Sequence, residues 1–329
     1  MPEPVILGSP LAPPALAELE AAAADLYPPI VATPLVPHRG PGADESERVL
    51  LKPEIHQRVG SFKIRGVFHA VASLTDAQRR LGLATVSAGN TAQALAWCGR
   101  HFGVGAYCMM PDTAPRSKVE AVRALGGTPR LAPREQVFAF LREARWREEP
   151  YAFVHPWIDR RVLVGHGSLG LELADQLDEP ADVFVPVGGG GLLAGVAGAL
   201  RARGAPVRIV AVEPTGCPAL ATALQRGAPV TVDCATACDG IAVPYVTEEM
   251  YPLLRELVDE VALVDEAPIR AAIRDLAVYD KLVVEPAGAI ALAAARARSS
   301  RDRPAVAVIS GGSIDPEALA DLLTAGRAG

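Results

Sequence analysis

Short apolar runs recur along this chain, each bounded by glycine, proline or a charged residue: ERVLLK, GLATVS, GAYCMMP, TPRLAP, YAFVHP, DVFVPV, VRIVAVEP and PAVAVIS. Runs of that length with little polar alternation read as strands buried on both faces. Between them lie segments with helical character, such as TAQALAWCGRHFG, APRSKVEAVRALGG and DRRVLVGHGSLGLELADQLD. Strands alternating with helices require crossover connections, and crossovers make sheets mostly parallel. The fold class is therefore α/β. In such sheets ligands gather at the carboxyl ends of the strands, so the strand-to-helix junctions are where chemistry is to be sought.

At 329 residues the chain is long enough for about two domains. Hydrophobic residues make up 50% and aromatics only 5%, so Ala, Val and Leu must do most of the packing. The formal net charge of −6, with both signs interspersed, gives no basic footprint for nucleic acid. The longest apolar stretches, GLLAGVAGAL and AGAIALAAA, fall short of the roughly 18 to 20 residues of a membrane span. The amino terminus, MPEPVILGSPLAPP, lacks a basic n-region and is broken by prolines, which argues against a secretory signal and for a cytoplasmic protein. Five cysteines without framework spacing point to reduced thiols. Cys234 and Cys238 have no second pair and no nearby histidine to complete a zinc site. No long Ser/Gly linker, low-complexity tract or short repeat interrupts the chain, so any domain crossing occurs at compact loops.

The most unusual stretch is GSFKIRG, residues 60 to 66, which sets Lys63 between Phe62 and Ile64. A lysine with apolar flanks loses hydration, its pKa falls, and the neutral amine becomes available for Schiff-base chemistry. The same residues also read as a plain amphipathic helix, with Ser61 as N-cap, Phe62, Val67, Val71 and Leu74 inward, and Lys63 and Arg65 snorkelling to water. A second stretch, VPVGGGGLLAG, ends a strand in Gly188, Gly189, Gly190 and Gly191 before a helix begins. Successive residues without Cβ let backbone N–H groups converge on an anion, and the helix dipole favours it, so the loop suits a phosphate. It lacks both the Lys-Ser/Thr of a nucleotide P-loop and a G-x-G-x-x-G spacing, which leaves a small phosphorylated cofactor. A third, SAGNTAQALAW, places Ser87, Asn90 and Thr91 at a helix start suited to a carboxylate, although an ordinary capped turn uses similar residues. A fourth, VISGGSID, puts Ser310 at another strand end, either facing a bound ring or capping a turn.

The ordered set GSFKIRG, SAGN, PVGGGGLLAG, VEP, DGIAV, EPAGAIALA and SGGSID, from about Thr33 to Asp315, resembles the serine/threonine dehydratase and serine racemase branch of fold-type II pyridoxal-phosphate enzymes. The resemblance implies two open, twisted, mostly parallel sheets flanked by helices. It implies a large cofactor-binding domain of residues 1–84 and 158–329 with a small mobile domain, 85–157, inserted in it. It implies pyridoxal 5'-phosphate as cofactor, an amino acid as substrate and a homodimer. By the same resemblance Lys63 forms the Schiff base and is the catalytic base, Phe62 packs on the pyridine, Asn90 bonds its phenolic oxygen and Gly188, Gly189, Gly190 and Gly191 cradle the phosphate. Ser310 meets the pyridine nitrogen, and Ser87, Ala88, Gly89, Asn90 and Thr91 bind the substrate carboxylate. A neutral serine makes the ring a weaker electron sink than an aspartate would, which suits elimination of a β-hydroxyl from threonine or serine to a 2-oxo acid and ammonia.

This chain departs from the family pattern at three places. Racemases of the branch carry a second serine where this chain has Ala88, and a methyl group cannot move a proton, so elimination is expected over racemisation. Most dehydratases of the branch have histidine where this chain has Thr91, a residue typical of cysteine synthases, which makes β-replacement the alternative. A protein that merely stores the cofactor is a further alternative, which turnover of any amino acid would exclude. The divalent-cation site of the branch takes an acid in VEP, here Glu213, and another six residues on, where this chain has Ala219, so no metal is expected. The chain ends soon after SGGSID, and no appended amino-acid-sensing domain is expected.

Overall fold

The apolar runs assemble into two separate sheets in the computed structural model, which describes residues 10–41, 48–298 and 302–324. Residues 1–9 of the amino-terminal stretch and Glu47 of ERVLLK lie outside the described residues. The chain runs α1 (Leu16–Leu26), β1 (Val36–Pro37), β2 (Val49–Pro53), α2 (Lys63–Ala72), α3 (Asp76–Arg80), β3 (Leu83–Val86), α4 (Asn90–Phe102), β4 (Ala106–Pro111) and α5 (Arg116–Ala124). It continues β5 (Thr128–Ala132), α6 (Arg134–Arg142), β6 (Ala152–Phe153), α7 (Arg160–Gln176), β7 (Ala181–Pro186), α8 (Gly191–Ala202), β8 (Val207–Pro214) and α9 (Ala219–Arg226). It closes with α10 (Met250–Leu257), β9 (Glu260–Val264), α11 (Glu266–Asp275), α12 (Pro286–Arg298), β10 (Ala305–Ile309) and α13 (Pro316–Thr324).

The larger sheet has six strands in the order β1-β2-β10-β7-β8-β9, parallel except where β1 pairs antiparallel with β2. The smaller has four parallel strands in the order β5-β4-β3-β6. Every apolar run read from the sequence is a strand, though YAFVHP contributes only two residues to β6. The strands that went unread, β1 and β9, are both edges. The apolar core of β9 is a short run between acids, and one of its faces meets water. The central strands β7 and β10 are buried along their whole length, as the lack of alternation requires. Among the described residues no helix is long and apolar enough to cross a membrane.

The glycines that bracket GSFKIRG act in different ways. Gly60 takes φ +69°, a left-handed conformation that other residues rarely adopt, and so turns the chain into α2. Gly66 lets α2 lie directly on α7, since a Cβ there would sit 2.5 Å from the Val162 carbonyl oxygen. The first turn of α2 is tied to the end of β10 by the Phe62 N–H, which donates to the Ser310 carbonyl at 3.0 Å. Phe62, Val67, Val71 and Leu74 are buried as the amphipathic reading has them, but its cap and its snorkelling arginine are corrected. The N-cap is Phe62, the Ser61 hydroxyl is buried without a partner among the described residues, and Arg65 is fully buried instead of snorkelling.

Arg65 is held inside because its fork is fully matched. Its Nε and Nη2 donate to Glu54 at 2.6 and 2.8 Å, and its Nη1 donates to Glu172 at 2.7 Å and to Ser168 Oγ at 3.0 Å. Lys52, also fully buried, donates to Glu172 at 2.6 Å and to the Thr33 carbonyl at 2.6 Å. Two cations and two carboxylates thus neutralise one another where α2, β2 and α7 meet. Removing one member leaves an uncompensated charge in a low-dielectric interior.

The expectation of five reduced thiols is also corrected. Cys217 and Cys234 are disulfide-bonded, with Cα atoms 4.3 Å apart, and Cys98, Cys108 and Cys238 are free and buried. A separation of 17 residues in an α/β chain carries no framework signal, but the backbone pairs here, with the Ala235 N–H donating to the Gly216 carbonyl at 2.8 Å. A bond closing a loop of that length stabilises by about 3 kcal/mol in the chain-entropy account.

Two outcomes are expected. Arg65→Ala should lose about 3 to 5 kcal/mol in urea unfolding, and a loss below about 1 kcal/mol would show that the network carries little. Under denaturing, non-reducing conditions a thiol reagent should titrate the three free cysteines, and five reactive thiols would contradict the bond.

Candidate active site

Three strand ends and one helix start converge on a cavity of about 260 Å³ between the two sheets. The end of β3 delivers Ser87, Ala88 and Gly89 to the start of α4 at Asn90 and Thr91. The end of β7 delivers the four glycines, the end of β10 delivers Ser310, and α2 delivers Phe62 and Lys63. All the site residues expected from the sequence therefore line one cavity, although they come from parts of the chain up to about 250 residues apart.

Lys63 points into this cavity with no ion-pair partner among the described residues. Its Nζ donates to the Pro156 carbonyl at 3.3 Å and lies 5.1 Å from the centre of the Phe62 ring. The other lysines are engaged elsewhere: Lys52 and Lys118 are paired with carboxylates, and Lys281 donates to the Val278 carbonyl. Burial pushes the Lys63 pKa down to about 8, against a smaller upward pull from Glu285. Two buried imidazoles lie close by. Burial, with the Lys63 charge adding to it, lowers His155 to about 3 and His166 well below its ordinary range, so both are neutral. His166 packs against Phe62 with ring centres 4.8 Å apart, which fixes the aromatic ring beside the lysine.

The glycine loop has the form of an anion cradle. The N–H groups of Gly188, Gly189 and Gly190 have no protein acceptor among the described residues, and α8 begins at Gly191 with its positive dipole end facing the loop. Side chains are shut out. A Cβ on Gly188 would lie 2.8 Å from the Ile241 Cα, and one on Gly189 would lie 2.3 Å from the Trp157 ring. Gly190 takes φ +89°. Orphan donors in a loop closed to side chains fit a phosphate, and Lys63 fits an aldehyde. Ser310 Oγ donates to the Ala287 carbonyl at 3.2 Å, a bond across 23 residues and not a cap of its own turn, and the residue lines the cavity.

The loop of residues 87–91 bonds to itself at its centre. The Gly89 N–H donates to Ser87 Oγ at 3.1 Å, and Thr91 is buried. Asn90 Nδ2 donates to Glu285 Oε1 at 2.5 Å, while its Oδ1 is buried without a partner among the described residues. Glu285 also accepts from Lys118 at 3.1 Å, and Lys118 donates to Asp239 at 2.6 Å. Burial pushes the Glu285 carboxyl up, with Lys118 opposing it. Burial works against the Lys118 ammonium, but Glu285 and Asp239 outweigh it and hold its pKa above the ordinary value. Sequence reasoning gave these three residues no role. Glu285 and Asp239 sit in the motifs EPAGAIALA and DGIAV, which were a signal; nothing in APRSKVEAVRALGG singled out Lys118.

Glu213 is bonded to backbone. Its two oxygens accept the N–H groups of Leu220 and Ala221 at 2.8 and 2.9 Å, capping α9, and burial raises its pKa to about 7 against those bonds. Among the described residues no group of three His, Cys, Asp or Glu side chains is placed to hold a metal.

The family model for "pyridoxal-phosphate dependent enzyme" matches residues 26–311. An L-threonine ammonia-lyase of Geobacter sulfurreducens is 40% identical over 291 residues, covering 85% of this chain and 72% of its own. A catabolic L-threonine dehydratase of Staphylococcus aureus is 34% identical over 310 residues, covering 91% and 89%. The structure of maize serine racemase superposes with a TM-score of 0.84 at 31% identity, covering 94% of this chain and 97% of the other.

A lysine held near pKa 8 should be set apart from the others by its reactivity. In the cofactor-free protein, Lys63 should react with an amine-directed reagent along a titration curve centred near 8. A Lys63 curve centred above 10 would show that the cavity does not desolvate it.

Proposed function

The chain belongs to the pyridoxal-phosphate dependent enzymes, and from that premise we propose that it removes the β-hydroxyl of threonine or serine to release a 2-oxo acid and ammonia. The observation that carries this reading is the unpaired, desolvated Lys63 facing the glycine cradle across one cavity. The relatives named for threonine ammonia-lyase and threonine dehydratase activity support threonine as substrate. The reading includes a cytoplasmic homodimer. It also includes a small domain, 85–157, that moves against 1–84 and 158–329; the separate four-stranded sheet supports such a division, although its strand β3 begins two residues earlier, at Leu83.

When bound, pyridoxal phosphate supplies an aldehyde that captures an amino group and a conjugated ring that draws electrons from Cα. In this reading the N–H groups of Gly188 to Gly191 hold its phosphate, Phe62 packs on its ring, Asn90 meets its phenolic oxygen and Ser310 its nitrogen. Ser87, Ala88, Gly89, Asn90 and Thr91, at the positive end of α4, hold the substrate carboxylate. Lys63 takes the Cα proton. A pKa near 8 leaves far more neutral amine at pH 7.5 than an ordinary lysine has, and yet keeps the group basic enough to accept the proton. The resulting ammonium is the acid for the departing hydroxyl, and the dehydrated product takes up water to give the 2-oxo acid and ammonia.

One observation favours a second reading. Thr91 is buried and lines the cavity where most dehydratases of the branch have histidine, and a hydroxyl there suits β-replacement by a thiol. Racemisation is disfavoured because Ala88, which lines the same wall, has no proton to exchange. The test is to supply L-threonine or L-serine with and without excess thiol. Ammonia and 2-oxo acid should be the main products, with little D-enantiomer remaining. A thioether as the dominant product would overturn elimination, and rapid accumulation of D-serine would overturn the argument from Ala88.

A further inference from the structure

DGIAV and EPAGAIALA belong to the shared motif set, yet the reaction described above gives Asp239 and Glu285 no task. Both meet Lys118, which comes from the other sheet. Lys118 sits in the third position of α5, beside the four-stranded sheet, and its side chain is only 6% exposed. Its ammonium reaches 2.6 Å to Asp239 Oδ2 and 3.1 Å to Glu285 Oε2, on segments that flank the six-stranded sheet. Its stem crosses directly over the substrate loop, where a Cβ on Gly89 would fall 2.6 Å from the Lys118 Cδ. The next residue, Asn90, donates Nδ2 to the second oxygen of Glu285. One lysine therefore presses on the loop with its methylenes and anchors it with its charge, and the carboxylate it anchors to also orients the Asn90 amide. A carboxylate oxygen only accepts, so with Nδ2 turned to Glu285 the amide cannot flip without losing that bond.

Lys118, Asp239 and Glu285, with Pro115, also lie between the active-site cavity and a second cavity of about 340 Å³ beneath α11 and α13, since all four line both.

We propose that Lys118 is a positioning residue for the reaction: by linking the loop of residues 87–91 to Asp239 and Glu285 across the two sheets, it holds the carboxylate-binding groups and the Asn90 amide in their working geometry. This inference rests on the elimination reading for its kinetic consequence but not for its structural one. Lys118→Met keeps an unbranched apolar stem over Gly89, with sulfur in place of the Cδ methylene, and removes the charge. Asp239→Asn removes the charge of one partner, at a side chain that is 37% exposed.

The experiment is hydrogen exchange of the holoenzyme, read on peptides covering residues 87–91, together with the visible spectrum of the bound cofactor and the kinetics with L-threonine. Lys118→Met should load cofactor, show at least ten-fold faster exchange in the loop, and raise KM at least ten-fold while kcat falls less. Asp239→Asn should move the same peptides by a smaller factor. The double variant should do no more than Lys118→Met alone, because both act through one link. Wild-type exchange and a KM within two-fold of wild type in Lys118→Met would overturn the proposal. If that variant fails to fold, Asp239→Asn with unchanged loop exchange and unchanged KM would overturn it equally. Exchange and spectrum need no turnover, so an enzyme that proves not to be an eliminase still tests the link.

Discussion

The structure depends on a guanidinium kept away from water. Arg65 lies two residues after Lys63 on the same helix, and its bonds to Glu54, Glu172 and Ser168 draw α2 onto β2 and α7. A helix fixed in that way has little freedom to rotate, so Lys63 points into the cavity while Arg65 points into the protein. The close approach of α2 to α7 at Gly66 leaves no room for relaxation. A buried ion network of this kind need not add stability over an apolar core of the same shape, but it specifies one arrangement sharply, because any misfit strands a charge. What it specifies here is the direction of the lysine.

The remaining components follow from the topology. Parallel strands end on the same side, and the backbone there is free to turn into helices whose first N–H groups lack partners. The glycine cradle and the loop of residues 87–91 are two such ends, one from each sheet, facing one another across the cavity. The site is therefore split between two sheets. A group that bridges them, as Lys118 does, governs whether its halves meet.

Much of this was legible in the sequence, for definable reasons. Lys63 was visible because a charge between apolar neighbours breaks the usual pattern, and Gly188 to Gly191 because four residues without Cβ at a strand end have few structural uses. The strands were visible wherever both faces are buried, and edge strand β9 was missed because one of its faces meets water. What could not be read was pairing over distance. Arg65 meets Glu172 across 107 residues, and Lys118 meets Asp239 and Glu285 across 121 and 167. Each of these is an unremarkable charged residue until the fold brings its partner. The Cys217–Cys234 bond was hidden for the same reason, and the snorkelling Arg65 was misjudged because its partners lay on other elements.

The central claim is that the fold sets Lys63 apart as the residue that holds pyridoxal phosphate. Borohydride reduction of the holoenzyme followed by peptide mapping tests it most directly, because reduction fixes the cofactor to whichever amine carries it. The account predicts a pyridoxyl group on Lys63 and on no other residue. A pyridoxyl group on Lys118, the other lysine that lines the cavity, with Lys63 unmodified, would contradict it.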